Sequence, residues 1–392
     1  MANKSLLAVL LVAGACATVK AQDNNTNLAG QTGANYIYTG IPILLVAPDA
    51  VSSAMGDVGA ASTPDANSAH WNNAKFAFVK DKMSLTTTYT PWLRNLSVSD
   101  MNFLYLAGYY KINQRSAAAA SLTYFSLGKI QHTGDAGEDY GDFRPNELAF
   151  DVTYAMKLSD NLSLGATGRY LRSDLTNGLD IGTATTKAAG ALSADVGLYY
   201  EGHVDAKQNF AVGAFVSNLG NKLRYSDDDM QSEFLPANLR IGGRYSFEYN
   251  EYNKINVMLD VNKLLVPTPP TSDSTVNQYY NSWSDYRTTG SIAGVFHSFH
   301  DAPGGIAEEL KEISLALGTE YWYANTFALR AGYFFEHADK GGRQYFTVGA
   351  GIRYKTFNLD LSYLVPTNKF SNNPLTNTLR IQLTWNLAEN KK

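Results

Sequence analysis

Among the 392 residues there is one cysteine, Cys16, and it lies inside an N-terminal apolar run. A disulfide framework is therefore excluded, as are thiolate metal sites in everything that follows that run. Charged residues are scarce at 17%, low for a chain whose whole surface meets water. No arm or patch of Lys and Arg stands out, so no nucleic acid is expected as a partner. Beyond residue 21 no stretch approaches the roughly 18 apolar residues that a membrane helix needs. Gly-rich phosphate loops and a Ser/His/Asp arrangement in a recognisable context are also missing, so neither a cofactor nor covalent chemistry is expected.

What is present is aromatic: 12% of the chain, with 25 Tyr against 5 Trp. Mean hydropathy is nevertheless slightly negative. A helical membrane protein would be strongly positive, whereas a barrel with one lipid face and one polar face combines both properties. Lys4, the apolar run Leu6 to Ala15, and the small residues Val19 and Ala21 form a secretory leader with expected cleavage after Ala21. Loss of Lys4 and Lys20 with the leader takes the net charge from −4 to about −6. A rival reading takes Ala13-Gly14-Ala15-Cys16 as a lipoprotein box that would keep Cys16 as a lipidated N-terminus.

Alternation with period two decides the class. Leu148, Phe150, Val152, Tyr154, Met156 and Leu158 interleave with Glu147, Asp151, Thr153 and Lys157. The same pattern runs through Leu239 to Tyr249, Phe327 to Phe335 and Leu379 to Leu387. These segments span about ten residues or more, the length a tilted strand needs to cross a bilayer. Tyr89 and Trp92, Tyr109 and Tyr110, Tyr199 and Tyr200, and Tyr321 to Tyr323 fall near segment ends, where aromatic girdles are expected.

Short links at Lys111 to Gln114, Ser159 to Asn161, Asn250 to Asn253, Tyr323 to Asn325 and Lys355-Thr356 alternate with long ones. The long links are Lys129 to Asn146, Ser173 to Ala188, Gly220 to Ala237, Leu264 to Lys311 and Pro366 to Thr378. Short periplasmic turns and long outward loops are the rule for such barrels. The expected fold is thus all-β, a transmembrane antiparallel barrel of about fourteen strands, from near Lys82 to near Leu387. Both termini are then expected in the periplasm. Within the largest loop, Ile306 to Ile313 is expected to form a short helix. The expected division is a leader at 1–21, a periplasmic segment and lumenal plug at 22–81, and the barrel at 82–392. The Gly- and Ala-rich stretch before the first strand lacks alternation, and an unfilled lumen of this girth would leave a wide pore.

That plug stretch carries a resemblance. Ala47-Pro48-Asp49-Ala50, Met55-Gly56-Asp57-Val58-Gly59, Pro64-Asp65-Ala66-Asn67 and His70-Trp71-Asn72-Asn73-Ala74-Lys75 resemble PorV (also called LptO) of the Bacteroidetes type IX secretion system, akin to FadL-type hydrophobe transporters. The resemblance continues in Tyr89-Thr90-Pro91-Trp92-Leu93-Arg94, Asp142-Phe143-Arg144-Pro145-Asn146-Glu147 and Arg169-Tyr170-Leu171-Arg172. Asp49, Met55, Gly56, Asp57, Trp71 and Asn72 are its plug motif. One departure is Asn73, where the family has proline, so less backbone rigidity is expected there. The resemblance implies a non-enzymatic outer-membrane component that accepts cargo bearing a C-terminal sorting domain from an outer-membrane translocon barrel. It would pass that cargo to a surface attachment complex with a sortase-like peptidase, amid outer-membrane lipid and lipopolysaccharide.

The residues offer fewer specifics. Glu147, Asp151, Arg169, Asp195, Arg240, Arg244, Glu248, Arg330, Asp360 and Arg380 fall on the inward face. They form either a binding array or the mutual pairing any polar lumen requires; an Arg turned to lipid would cost roughly 2–4 kcal/mol at the midplane. Phe143, Arg144, Tyr279, Tyr280 and Trp283 on outward loops are candidate partner anchors, the alternative being packing of the loops upon themselves. His297, His300 and Asp301 lack a further ligand, and Asp227 to Asp229 lacks the spacing of a calcium loop. Asp273-Ser274-Thr275 resembles an O-glycosylation triplet. A FadL-like channel would instead require an apolar lumenal pocket and a lateral opening. A membrane-embedded lipid deacylase would require a Ser beside a His at girdle level.

Overall fold

The computed structural model describes residues 36–93, 100–133, 139–175, 180–181, 184–226, 232–270, 279–280, 282–367 and 378–387. The leader with Cys16, the Asp227 to Asp229 run and the Asp273-Ser274-Thr275 triplet lie outside the described residues.

Fourteen antiparallel strands close into one barrel. They are β1 Met83–Pro91, β2 Asn102–Asn113, β3 Ser116–Ser126, β4 Asn146–Lys157, β5 Leu162–Asp174, β6 Ala189–His203 and β7 Gln208–Gly220. After these come β8 Asn238–Glu248, β9 Asn253–Leu264, β10 Ile313–Tyr323, β11 Phe327–Phe335, β12 Gln344–Tyr354, β13 Phe357–Pro366 and β14 Leu379–Leu387. Each strand pairs with its chain neighbours, and β1 closes the ring on β14 in the register Thr87↔Leu383. Closure leaves no open edge, so every ladder group has a partner without water, which is why such sequences can cross lipid. No described helix is long and apolar enough to do so.

The alternation read from the sequence is the alternation of the wall. Phe150 is 44% exposed on the outside while Asp151 beside it is 4% exposed within. The girdle expectation needs correction for the same reason. Tyr89, Tyr110 and Tyr200 face out, but Trp92, Tyr109 and Tyr199 are buried inside. Adjacent residues on a strand point to opposite faces, so a Tyr-Tyr pair supplies one ring to the girdle and one to the lumen.

Tight turns join the strands at one end, as at Ala324-Asn325, where both residues take positive φ and match the twist of the hairpin. The opposite end carries the long loops, three of which hold small hairpins (Ile130–Thr133 with Asp139–Phe143, Asp180–Ile181 with Ala184–Thr185, Leu223–Arg224 with Ser232–Glu233). The largest loop carries α3 Trp283–Thr288, α4 Ser291–His297 and α5 Ile306–Lys311, the last within the span expected to be helical.

Residues 36–79 descend through the lumen, from the long-loop end to the short-turn end. Gly40 N donates to Phe234 O of a long loop at 2.9 Å. Ile41, Ile43 and Leu44 then pack with Trp92, Phe103, Phe125 and Leu171 in an apolar upper chamber. Two turns of α-helix follow, α1 Ala50–Ser53 and α2 Ser68–Trp71, before a 3-10 helix at Asn73–Phe78. Phe76 and Val79 pack with Tyr109, Ala117 and Ala155 in the lower half of the barrel. The plug reaches the wall because the wall has no side chains there. A Cβ on Gly213 would lie 1.9 Å from Ala60 O, and one on Gly332 would lie 2.0 Å from Met55 C.

Candidate functional site

The plug is tied together around Asp49. Its Oδ1 accepts from Ser52 N at 2.8 Å as the cap of α1, and its Oδ2 accepts from Trp71 Nε1 at 2.5 Å. Both partners are buried, and burial together with the neighbouring Asp65 pushes the Asp49 carboxyl up to about 6. The face of Trp71 lies under the Arg240 guanidinium, 4.5 Å from its centroid. Lys75, 0% exposed, donates to Ser62 Oγ at 2.8 Å, and burial brings its ammonium down to about 8. Sequence reasoning passed over Lys75; its position four residues after Trp71 in the plug motif was the available signal.

The remaining plug-motif residues fasten the segment to the wall. Gly56 holds φ +69° and donates from N to Thr347 Oγ1 at 2.8 Å. Only glycine fits, since a Cβ would lie 2.6 Å from Tyr333 N. Asp57 accepts from the Tyr345 hydroxyl at 2.6 Å, and burial raises its carboxyl above the usual range. Met55 fills a core with Val58, Met258 and Phe334. Asn72 Nδ2 bridges Ala60 O and Leu198 O, each at 2.9 Å. Wall groups that the sequence did not single out complete the seam. Asp260 accepts from Gly59 N at 2.6 Å and Ala60 N at 2.8 Å, and Gln382 Oε1 accepts from Ala50 N at 2.9 Å.

The inward charges lie in separate groups. Arg169 bonds Asp151 at 2.6 Å and Asp195 at 2.9 Å, and reaches Asn218 at a bulge where β6 and β7 shift register. Arg330 bridges Glu320 at 2.9 Å and Asp360 at 2.7 Å. Arg244 pairs with Glu201 at 3.2 Å and donates to Thr63 Oγ1 at 2.9 Å on the plug. Arg380, buried against the plug, donates to Ala47 O at 3.0 Å. Glu147 accepts from Ser173 Oγ at 3.1 Å, and Glu248 meets Lys254 at 3.3 Å on the short-turn rim. Arg240 differs. Its Nε donates to Asn262 Oδ1 at 2.7 Å, but its nearest carboxylate, Asp260, is 4.0 Å away and already holds two backbone donors.

Arg240 and Trp71 line a cavity of about 350 Å³ at the long-loop end. Asp57, Glu312, Glu336, Lys340 and Arg343 also line it, together with Tyr36 and Tyr38. Ile37, Pro42, Leu45, Leu264 and Phe334 share the lining, so charged and apolar groups are mixed there; the apolar upper chamber is occupied by the chain's own Ile41, Ile43 and Leu44.

On the loops, Trp283 is 48% exposed and Tyr279 is exposed, while Phe143 is half-buried and Arg144 exposed. Tyr280 is turned inward at 5% exposure, bonded to His297 Nδ1 at 2.9 Å and packed with Phe234, Val266 and Tyr286. It holds the loop together and offers a partner no surface. His300 sits edge-on to Tyr279, and Asp301 accepts from Thr268 N at 3.1 Å, its carboxyl pushed up to about 7 by burial. Among the described residues no three carboxylate, His or Cys side chains gather as a metal site.

A family model described as "Type IX secretion system protein PorV" matches residues 29–271. Among solved structures, the P. putida toluene transporter TodX is 11% identical, covering 87% of this chain and 99% of that one at a TM-score of 0.49. The CymD monoaromatic hydrocarbon channel is 13% identical, with coverage of 88% and 99% and a TM-score of 0.49. A Pseudomonas aeruginosa FadL homologue is 10% identical, with coverage of 90% and 100% and a TM-score of 0.44. No curated protein sequence matches the chain.

Proposed function

The chain belongs to the PorV family of type IX secretion system proteins, and on that premise we propose that it receives cargo bearing a C-terminal sorting domain and hands it on without covalent chemistry. The cargo would come from an outer-membrane translocon barrel and pass to a surface attachment complex with a sortase-like peptidase. Location in the outer membrane follows from the family and from the closed barrel. The long-loop end would face outward and the short turns the periplasm.

The observation that carries this reading is the filled lumen. Plug backbone lies against wall glycines, and its polar groups bond to opposite walls of the barrel through Asp260, Thr347 and Leu198. A barrel stoppered in this way is no conduit for a folded protein, so its working surfaces are the mouth and the outward loops. Of the anchors, Trp283, Tyr279, Phe143 and Arg144 would meet the partner, because large aromatic and Arg side chains dominate interface energetics. Direction would arise from different affinities for loaded and empty partners.

The test is purification from native membranes in mild detergent, followed by identification of what accompanies the chain. Translocon, peptidase and sorting-domain cargo are expected together. A preparation containing none of the three would overturn the reading.

A further inference from the structure

The long loop between β9 and β10 has its polarity reversed in its second half. From 290 to 310, every residue of which is described, His300 is the one exposed residue with a polar side chain. The large exposed side chains there are apolar: Ile292 and Phe296 on α4, Phe299 after it, and Ile306 and Leu310 on α5, the last two at 80% and 62% exposure. Each helix presents an i, i+4 pair on one face. The charged residues of α5 point the other way, into the barrel rim. Lys263 of β9 holds Glu309 at 2.9 Å and Glu312 at 2.7 Å, and Lys340 holds Glu308 at 2.6 Å and Glu312 at 3.0 Å. The first helix of the same loop is ordinary by comparison: α3 exposes Ser284, Asp285 and Thr288 and buries Tyr286. A surface that met only water would follow α3.

We propose that this face rests on the outer leaflet beside the barrel, with Phe299, Ile306 and Leu310 among the acyl chains where these meet the headgroups. Position favours lipid. The Phe299 ring centre lies 5.8 Å from Lys263 Nζ. Lys263 stands on β9 in line with Leu259 and Val261, exposed residues of the lipid-facing wall. α5 runs directly into β10, where Ile313 pairs with Lys263 and stands in line with the exposed Leu315 and Leu317. The apolar face of the loop is therefore continuous with the wall that meets the membrane. Composition favours lipid as well. A protein interface carries a hydrogen bond for roughly every 100–200 Å², which one exposed polar side chain does not supply. Acyl chains require none. Lys263 brings no bare charge to this level, because Glu309 and Glu312 neutralise it from the helix itself. The ion pairs act as a latch that keeps the carboxylates of α5 on the rim and its apolar face outward.

The inference needs the barrel in a membrane and not the secretion role, so the test contains no other protein at first. The full chain carries Cys16→Ser, since Cys16 is its one cysteine, and is reconstituted in dioleoylphosphatidylcholine vesicles. A spin label is attached at Phe299→Cys, Ile306→Cys or Leu310→Cys. Leu259→Cys on the lipid-facing wall and Asp160→Cys in an exposed short turn set the two references. Collision with oxygen, which concentrates in lipid, is compared with collision with a nickel chelate confined to water. The three loop labels are expected to match the oxygen-rich, nickel-poor behaviour of Leu259→Cys. Lys263→Gln combined with Lys340→Gln takes these counter-ions from Glu308, Glu309 and Glu312, which water and not lipid must then receive. The labels at Ile306→Cys and Leu310→Cys should shift to the behaviour of Asp160→Cys, with heat-modifiable gel mobility confirming that the barrel is folded. Aqueous behaviour of the loop labels in the parent chain overturns the proposal, as does immersion that the double lysine variant leaves unmoved. Labels that are aqueous in vesicles, and shielded from both reagents only after membrane extract bearing the translocon is added, overturn it by assigning the face to a protein partner. Co-purification of the translocon is read separately, so the secretion role stands or falls on its own.

Discussion

Asn73 donates from its side-chain amide to Thr167 Oγ1 on β5 at 2.9 Å, and the same nitrogen lies 3.3 Å from Asp195 O on β6. At the position where the resemblance led to an expected proline, Asn73 thus supplies a side-chain bond to the wall. Asn73→Ala should loosen this corner by about 0.5–1.5 kcal/mol, because Thr167 loses this donor while keeping Thr153 Oγ1 at 2.7 Å. Asn73→Pro loses the same bond and should cost about as much, since the first position of a helical turn tolerates proline. The readout is the urea dependence of protease cleavage within 60–80.

Asp49 links plug stability to pH. Its carboxyl titrates at about 6 in the folded chain against an ordinary 3.8, so the folded state binds the proton more tightly. The resulting stabilisation is complete below the ordinary value and is lost as pH rises through 6. The Trp71 indole resonance, one bond from the carboxylate, should shift with a midpoint near 6. In Asp49→Asn it should be flat across the same range.

Arg169 stands between two buried carboxylates. Arg169→Met should destabilise the barrel by roughly 3–5 kcal/mol, since Asp151 and Asp195 are left uncompensated. Adding Asp151→Asn and Asp195→Asn should recover most of the loss. Guanidinium midpoints in micelles measure both; a single variant as stable as the wild type would show that the triad is solvated.

Wall glycines set the plug's seat. Gly332→Ala and Gly213→Ala place a methyl inside contact distance of plug backbone, whereas Gly168 has nothing within 4 Å. The first two should lower the barrier to plug displacement and raise single-channel conductance in planar bilayers. Gly168→Ala should match the wild type.

Loop aromatics should divide by exposure. Trp283→Ala and Phe143→Ala should weaken capture of the translocon by about 2 kcal/mol each if they are anchors, with the loop fold intact. Tyr280→Ala should instead increase protease cleavage of the loop, because Tyr280 packs on Tyr286 and bonds His297.

Strand number, wall facing and the long and short ends were legible from residue order alone, because alternation is local: each residue's face follows from its neighbour's. The same rule shows why Trp92 and Tyr199 were misplaced, since proximity to a segment end does not say which face a ring takes. What the plug touches was not legible. Trp71 and Asp49 are 22 positions apart and Asp260 meets Gly59 across 201, and no periodicity relates such positions. Closure of the ring brings them together, and closure also decides that Arg169 and Arg330 are neutralised while Arg240 faces open space. Local pattern determined which way each side chain points; only the enclosed volume decided what it meets there.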